Sequence, residues 1–224
     1  MTRRAAVVLA GDLAAGLRPG PPDPTRLRVA FCEDVYEVLA ALELLDAGVA
    51  VATGHDRAAV VSITWPGAPV VDLPGGQPTN DLVAALAGLT ALGYEQAVVV
   101  AVDAPDLPGL LIGKLFRALG RADVAVCPAQ TGELVAVAAR LPLAAWVVEA
   151  GVDLDTLDAL AALRAAAPSR ASVGVGPGWH RVRTPEELAA LDPGLEGWAA
   201  TRALRSGQTG GDQGIYAPSP TPFT

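Results

Sequence analysis

The chain has 224 residues, 51% hydrophobic and only 4% aromatic, and a net charge of −8 from 16 basic and 24 acidic residues. That length fits a single α/β unit with a sizeable core, and the core must be mostly Ala, Val and Leu. The acidic balance excludes general nucleic-acid binding, which wants a basic surface, but leaves room for a phosphorylated small ligand held by a few arginines or a metal.

Lys114 is the only lysine, and the two cysteines, Cys32 and Cys127, lie far apart without a metal-ligand spacing. They read as buried, reduced thiols. The apolar run Ala5 to Ala10 follows Arg3-Arg4 but stops at Gly11-Asp12. It is shorter than the about 7–15 residues of an export segment and reads as a first strand. No run reaches the ~18 apolar residues of a membrane span. The expected compartment is the cytoplasm, with no membrane partner.

A loop from Gly11 to about Leu27 follows, too rich in proline to be helical. A long loop directly after the first strand of an α/β unit is usually functional, and this one carries Arg18, Thr25 and Arg26, with Arg28 just beyond. Val29 to Ala47 shows helical spacing, with Val35, Val38, Leu42 and Leu45 on one face and Gly48 as its stop. Val49 to Thr53 reads as strand two, Ala58 to Ile63 as a weak segment and Pro69 to Leu73 as strand three. Pro74 to Pro78 is a second loop. Thr79 or Asn80 caps a helix that runs to Leu92, where Gly93 stops it.

The unbroken run Ala97 to Val102 suits a strand buried on both faces, at the centre of a mainly parallel sheet covered by helices. Asp103 and Asp106 follow at its carboxyl end, where open α/β sheets hold their ligands. They either contact a metal-phosphate group or cap the helix Gly109 to Leu119. Asp123 to Cys127 and Glu133 to Ala139 read as strands paired around the turn Pro128 to Gly132. Leu143 to Ala150 and Asp155 to Ala167 read as helices, and Ser172 to Val175 as a short strand. Thr184-Pro185-Glu186-Glu187 is a strong helix start. Gly194 to Leu204 adds a further helical turn or two. Ser206 to Thr224 has little apolar content and reads as a disordered tail after a single domain of residues 1–205.

Of the two histidines, His55 and His180, only His180 lies beside the suspected site. Trp179, next to it, reads as a packing or hinge aromatic, with stacking on a base or sugar as the alternative. Arg18, Arg26 and Arg28 are either phosphate donors or solvated loop charges.

Four motifs in order resemble the glycosyltransferase-A-like nucleotidyltransferases, and most closely the bacterial radical-SAM/selenodomain-associated transferases. The molybdenum cofactor and phospholactate guanylyltransferases are relatives of that family. The motifs are Pro24-Thr25-Arg26-Leu27, Asp103-Ala104-Pro105-Asp106-Leu107, Pro128-Ala129-Gln130-Thr131-Gly132 with Leu141-Pro142, and Arg181-Val182-Arg183-Thr184-Pro185-Glu186-Glu187-Leu188. The resemblance implies a three-layer αβα, Rossmann-type α/β fold with a mainly parallel mixed sheet. It also implies transfer from a nucleoside triphosphate or nucleotide sugar to a small acceptor.

It implies, further, a Mg²⁺ held by Asp103 and a second carboxylate, with the first loop on the phosphates. Here the loop lysine is Pro24, and the second carboxylate is replaced by Arg181 or Arg183. The motif that reads Asp-Gly in the family is Gln130-Thr131. Arg18 and Arg26 are the remaining phosphate candidates in the first loop. Arg181 and Arg183 either pair with Asp103 as an internal salt bridge or bind a diphosphate in place of the metal. The alternative to a transferase is therefore a catalytically inactive relative that acts as a nucleotide-binding or partner protein.

Overall fold

Alternating small apolar strands and helices build a single seven-stranded sheet with helices on both faces. The computed structural model describes residues 2–10, 23–52, 57–74 and 80–209. Arg18, His55 and Thr79 lie outside the described residues, as do 210–224. The strands are β1 (Arg4–Ala10), β2 (Asp46–Ala52), β3 (Val70–Leu73), β4 (Gln96–Ala101), β5 (Val124–Pro128), β6 (Leu134–Arg140) and β7 (Val173–Val175). The helices are α1 (Pro24–Ala40), α2 (Arg57–Ser62), α3 (Asp81–Ala91), α4 (Gly109–Ala118), α5 (Ala145–Glu149), α6 (Ala159–Ala166), α7 (Pro185–Ala190) and α8 (Ala199–Thr209).

The sheet order is β3-β2-β1-β4-β6-β5-β7, so β4 is the middle strand. It runs parallel to β1 and antiparallel to β6. Among the described residues β6 is the one antiparallel strand; β7 returns parallel to β5. Alternate β4 residues feed two cores. Val98 and Val100 join the face that holds Phe31 and Leu39 of α1 and Ile112 and Leu115 of α4. Ala97, Val99 and Ala101 join the face that holds Leu86 and Leu89 of α3 and Leu163 of α6. This two-faced burial is why the strand is a continuous apolar run rather than an alternating one. Each buried valine contributes about 1.5–3 kcal/mol over an exposed one.

Several boundaries differ from the sequence reading. α1 starts at Pro24, not Val29, because Asp23 caps it: its side chain accepts from the Thr25 N–H at 2.9 Å, with Pro24 in the first turn. A proline costs nothing there, since that N–H has no intrahelical partner. α1 also ends seven residues before Ala47, at Ala40. Leu44 takes the left-handed turn at φ 67°, and Gly48 is not a stop but a strand residue. A Cβ on Gly48 would lie 2.1 Å from the Pro69 carbonyl oxygen, so glycine is required by the close approach of the chain before β3.

The segment around Ala58 to Ile63 is a short helix, α2. The helix expected from Asp155 begins only at Ala159, after Asp158 adopts φ 53°. Asp155 is thereby left in a turn. Asn80 caps α3, accepting from the Val83 N–H at 2.9 Å. α8 runs to Thr209, four residues into the stretch read as tail. Buried Asp34 of α1 caps it, its two carboxylate oxygens accepting from the N–H groups of Ala200 and Thr201 at 2.8 and 2.9 Å. No described helix is long and apolar enough to cross a membrane.

Candidate functional site

β4 delivers Asp103 to the carboxyl edge of the sheet just where β6 runs alongside. β7 and the chain after it carry residues 176–183 along the end of β5. The Gly176 N–H donates to Val126 O at 2.8 Å and the Trp179 N–H to Pro128 O at 3.1 Å. The Val182 N–H then donates to Asp103 O at 2.6 Å. This one backbone bond places the side chains on either side of Val182, Arg181 and Arg183, against Asp103.

Both arginines bind it. Arg181 Nε donates to Asp103 Oδ1 at 2.5 Å and Arg183 Nε to Oδ2 at 3.0 Å. The Asp103 side chain is 1% exposed and that of Arg181 8%. Arg181 Nη1 also donates to Asp155 Oδ1 at 2.5 Å and to the carbonyls of Leu134 and Leu154 at 3.4 and 3.3 Å. Arg183 Nη1 donates to Glu133 Oε1 at 2.8 Å, and its Nη2 to the same Asp155 oxygen. Burial works to lower the Arg183 guanidinium, but Asp103, Asp155 and Glu133 outweigh it and raise it above its ordinary value. Burial likewise works to raise the Glu133 carboxyl. The Thr131 hydroxyl, its own backbone and the two guanidiniums outweigh that and hold it below the usual glutamate value.

Asp106 is a further buried carboxylate at this edge, 5% exposed. Its Oδ1 accepts from Trp179 Nε1 at 3.1 Å and its Oδ2 faces His180 Nε2 at 2.9 Å. The Trp179 and His180 rings stack with centroids 4.9 Å apart. Neither aspartate caps α4, whose N-cap is Pro108 with no side-chain hydrogen bond. The helix-capping reading is thus replaced by ion pairing for Asp103 and by indole and imidazole contacts for Asp106.

Thr25 and Arg26 are outside the hydrogen-bond network of this cluster, which is no test of their part in a ligand site. They lie on the exposed first turn of α1, along a groove with Val29, Ala30, Ala59 and Leu204. No hydrogen bond or ion pair among the described residues joins their side chains to the Asp103 cluster. Glu133 and Asp155 were missed as site residues. Two arginines two apart in a chain of net negative charge each need carboxylates, but nothing local says which. Cys32 and Cys127 are buried as expected, and burial pushes their thiols up to about 12 and about 11.

The residues gathered here do not fit Mg²⁺. A hard cation takes oxygen ligands, while both Asp103 oxygens accept from guanidiniums that already stand in the place of a cation. Among the described residues, no group of three or more His, Cys, Asp and Glu side chains could hold a metal ion.

In sequence, no protein family and no curated protein matches the chain. In structure, it is similar to a protein from Desulfovibrio desulfuricans G20 assigned as a nucleotide-diphospho-sugar transferase. The two are 19% identical over 94% of this chain and 96% of that one, with a TM-score of 0.70. It is also similar to CMP:2-keto-3-deoxy-manno-octonic acid synthetase solved with CTP, at 10% identity over 92% and 100% and a TM-score of 0.57. A third is Rv0371c of Mycobacterium tuberculosis H37Rv solved with manganese, at 16% identity over 91% and 97% and a TM-score of 0.50. The mainly parallel, seven-stranded αβα sandwich built here is the glycosyltransferase-A-like fold of nucleotidyl- and nucleotide-sugar transferases.

Proposed function

We propose that this chain is a nucleotide-binding relative of these transferases that has given up metal-dependent transfer. The observation that carries the reading is the doubly paired Asp103, with one guanidinium on each oxygen. The radical-SAM/selenodomain-associated transferases are the family whose motif order the chain follows, and the inactive branch of that resemblance fits the arginines best. The ligand class is taken from the synthetase solved with CTP. A nucleotide would bind at the carboxyl edge of the sheet without Mg²⁺, its phosphates facing arginines rather than a metal. Trp179 and His180 border the same edge, held by Asp106.

A second reading keeps catalysis. Asp103 stands after the middle strand, at the switch point where ligands of open α/β sheets bind. Arginines can stabilise phosphate charge in a transfer reaction without a metal.

A thermal-shift screen separates the two. The purified chain is melted with nucleoside triphosphates and nucleotide sugars, each with Mg²⁺, with Mn²⁺ and with chelator. Binding raises the melting temperature with the logarithm of ligand over Kd. The expected result is a shift with one nucleotide that survives chelator, without product in a turnover assay. Product formation would replace the first reading by the second. A shift only with metal would overturn the reading of the Asp103–arginine cluster, and no shift with any compound would overturn nucleotide binding altogether.

A further inference from the structure

We infer that Arg181 and Arg183 form an anion site whose present occupant is the Asp155 carboxylate, and that a phosphate group of a small ligand competes with Asp155 for it. The inference takes only the ligand class from the nucleotide-binding reading; the site rests on its own geometry.

Burial falls steeply across the cluster. The side chains of Asp103, Arg181 and Glu133 are 1%, 8% and 10% exposed, that of Arg183 33%, and that of Asp155 72%. Asp155 is thus the one strongly exposed member, and it covers the arginines from the solvent side. A single oxygen, Oδ1, bridges Arg181 Nη1 and Arg183 Nη2. A phosphate oxygen makes the same bridge, and a diphosphate offers further oxygens to the two planar forks.

Removing Asp155 from the bridge disturbs little else. Arg181 keeps Asp103 and the carbonyls of Leu134 and Leu154, and Arg183 keeps Asp103 and Glu133. The guanidiniums therefore remain organised, with their outward N–H groups free. The backbone at Asp155 is held independently. Neighbouring Asp153 accepts from the N–H groups of Asp81 and Leu154 at 2.9 and 2.7 Å, and the Leu154 carbonyl accepts from the Leu134 N–H at 2.9 Å. Displacement needs only a rotation of the Asp155 side chain.

Charge points the same way. Three carboxylates against two guanidiniums leave the cluster at −1 with Asp155 in place and neutral without it. A tethered carboxylate reduces the fraction of sites open to an anion, and apparent affinity falls by that fraction.

The test is calorimetric titration of the full chain with inorganic pyrophosphate in chelator at fixed ionic strength. Asp155→Ala is expected to bind at least tenfold more tightly than the unaltered chain. Asp158→Asn, which removes the same charge three residues away, is expected to stay within twofold. Adding Arg183→Gln to Asp155→Ala is expected to abolish the gain. If that double variant does not fold, Arg183→Lys keeps the charge without the fork and is expected to lose most of the gain. No gain in Asp155→Ala, or an equal gain in Asp158→Asn, overturns the site.

Nucleoside triphosphates titrated alongside separate the two readings. Tight pyrophosphate binding by Asp155→Ala with no nucleotide binding by any variant keeps the anion site and removes the nucleotide reading. Nucleotide binding in chelator without tightening in Asp155→Ala does the reverse. No binding of either probe to any variant overturns both.

Discussion

Asp103→Ala is the substitution on which the reading of the site turns. It removes the acceptor of two charge-assisted hydrogen bonds, from Arg181 Nε at 2.5 Å and Arg183 Nε at 3.0 Å. Such bonds contribute about 1.5–3 kcal/mol each. Arg183 is one-third exposed, and water will solvate part of its freed guanidinium. Arg181 retains Asp155 and two carbonyls, but its side chain is only 8% exposed and its charge stays buried. The loss should therefore fall at the low end of the summed range, about 3 kcal/mol, which agrees with the ~3–5 kcal/mol for breaking a buried pair.

For a chain of this size that is a fall in melting temperature of about 6–12 °C. Urea unfolding followed by circular dichroism gives the free energy independently, and the slope should not change. Combining Asp103→Ala with Arg181→Met removes the stranded charge and should recover part of the loss. A fall of less than about 2 °C would refute the argument. It would mean that Asp103 is held for a ligand and contributes little to the fold, as a metal-binding carboxylate would.

Three further outcomes follow from other parts of the molecule. Gly48→Ala would force a methyl to 2.1 Å from the Pro69 carbonyl oxygen, which also accepts the Val49 N–H; a loss of about 1–3 kcal/mol in urea unfolding is expected, and a neutral result would disprove the close approach. Thr184→Ala removes the α7 capping box, in which Thr184 Oγ1 accepts from the Glu187 N–H at 3.2 Å and Glu187 Oε2 accepts from the Thr184 N–H at 2.9 Å; about 1 kcal/mol should be lost, read as a lower thermal midpoint. Burial pushes the Cys32 and Cys127 thiols up to about 12 and about 11. Unfolded thiols ionise near pH 8.5, so this part of the stability is complete below that pH and is lost as pH rises through the folded values. The native chain should accordingly resist a thiol reagent at pH 8 and react at both cysteines in urea, and rapid native labelling would contradict the burial.

Local patterns carried most of the architecture. The apolar run of β4, the hairpin-like pairing of β5 and β6 and the Thr184 helix start are all written in neighbouring residues, because burial and capping act over a few positions. Boundaries failed where a single backbone feature outweighed composition. Asp23 pulled the start of α1 back to Pro24, the last proline of the first loop, and Asp158 at φ 53° cut α6 short and left Asp155 in a turn.

The candidate site divides in the same way. From the sequence alone, Asp103 ends a central strand and arginines stand where a second carboxylate was expected. That both arginines meet that one aspartate, across 78 and 80 residues, required the sheet order and the Val182 N–H bond to Asp103 O. Glu133 joins because β6 inserts antiparallel between β4 and β5 and so begins at the same edge, and Asp155 because the Leu154 carbonyl beside it accepts from the Leu134 N–H that opens β6. Residue spacing encodes which face a side chain takes within its own strand or helix. Which distant charges it then meets is set by strand order, and periodicity carries no record of that order.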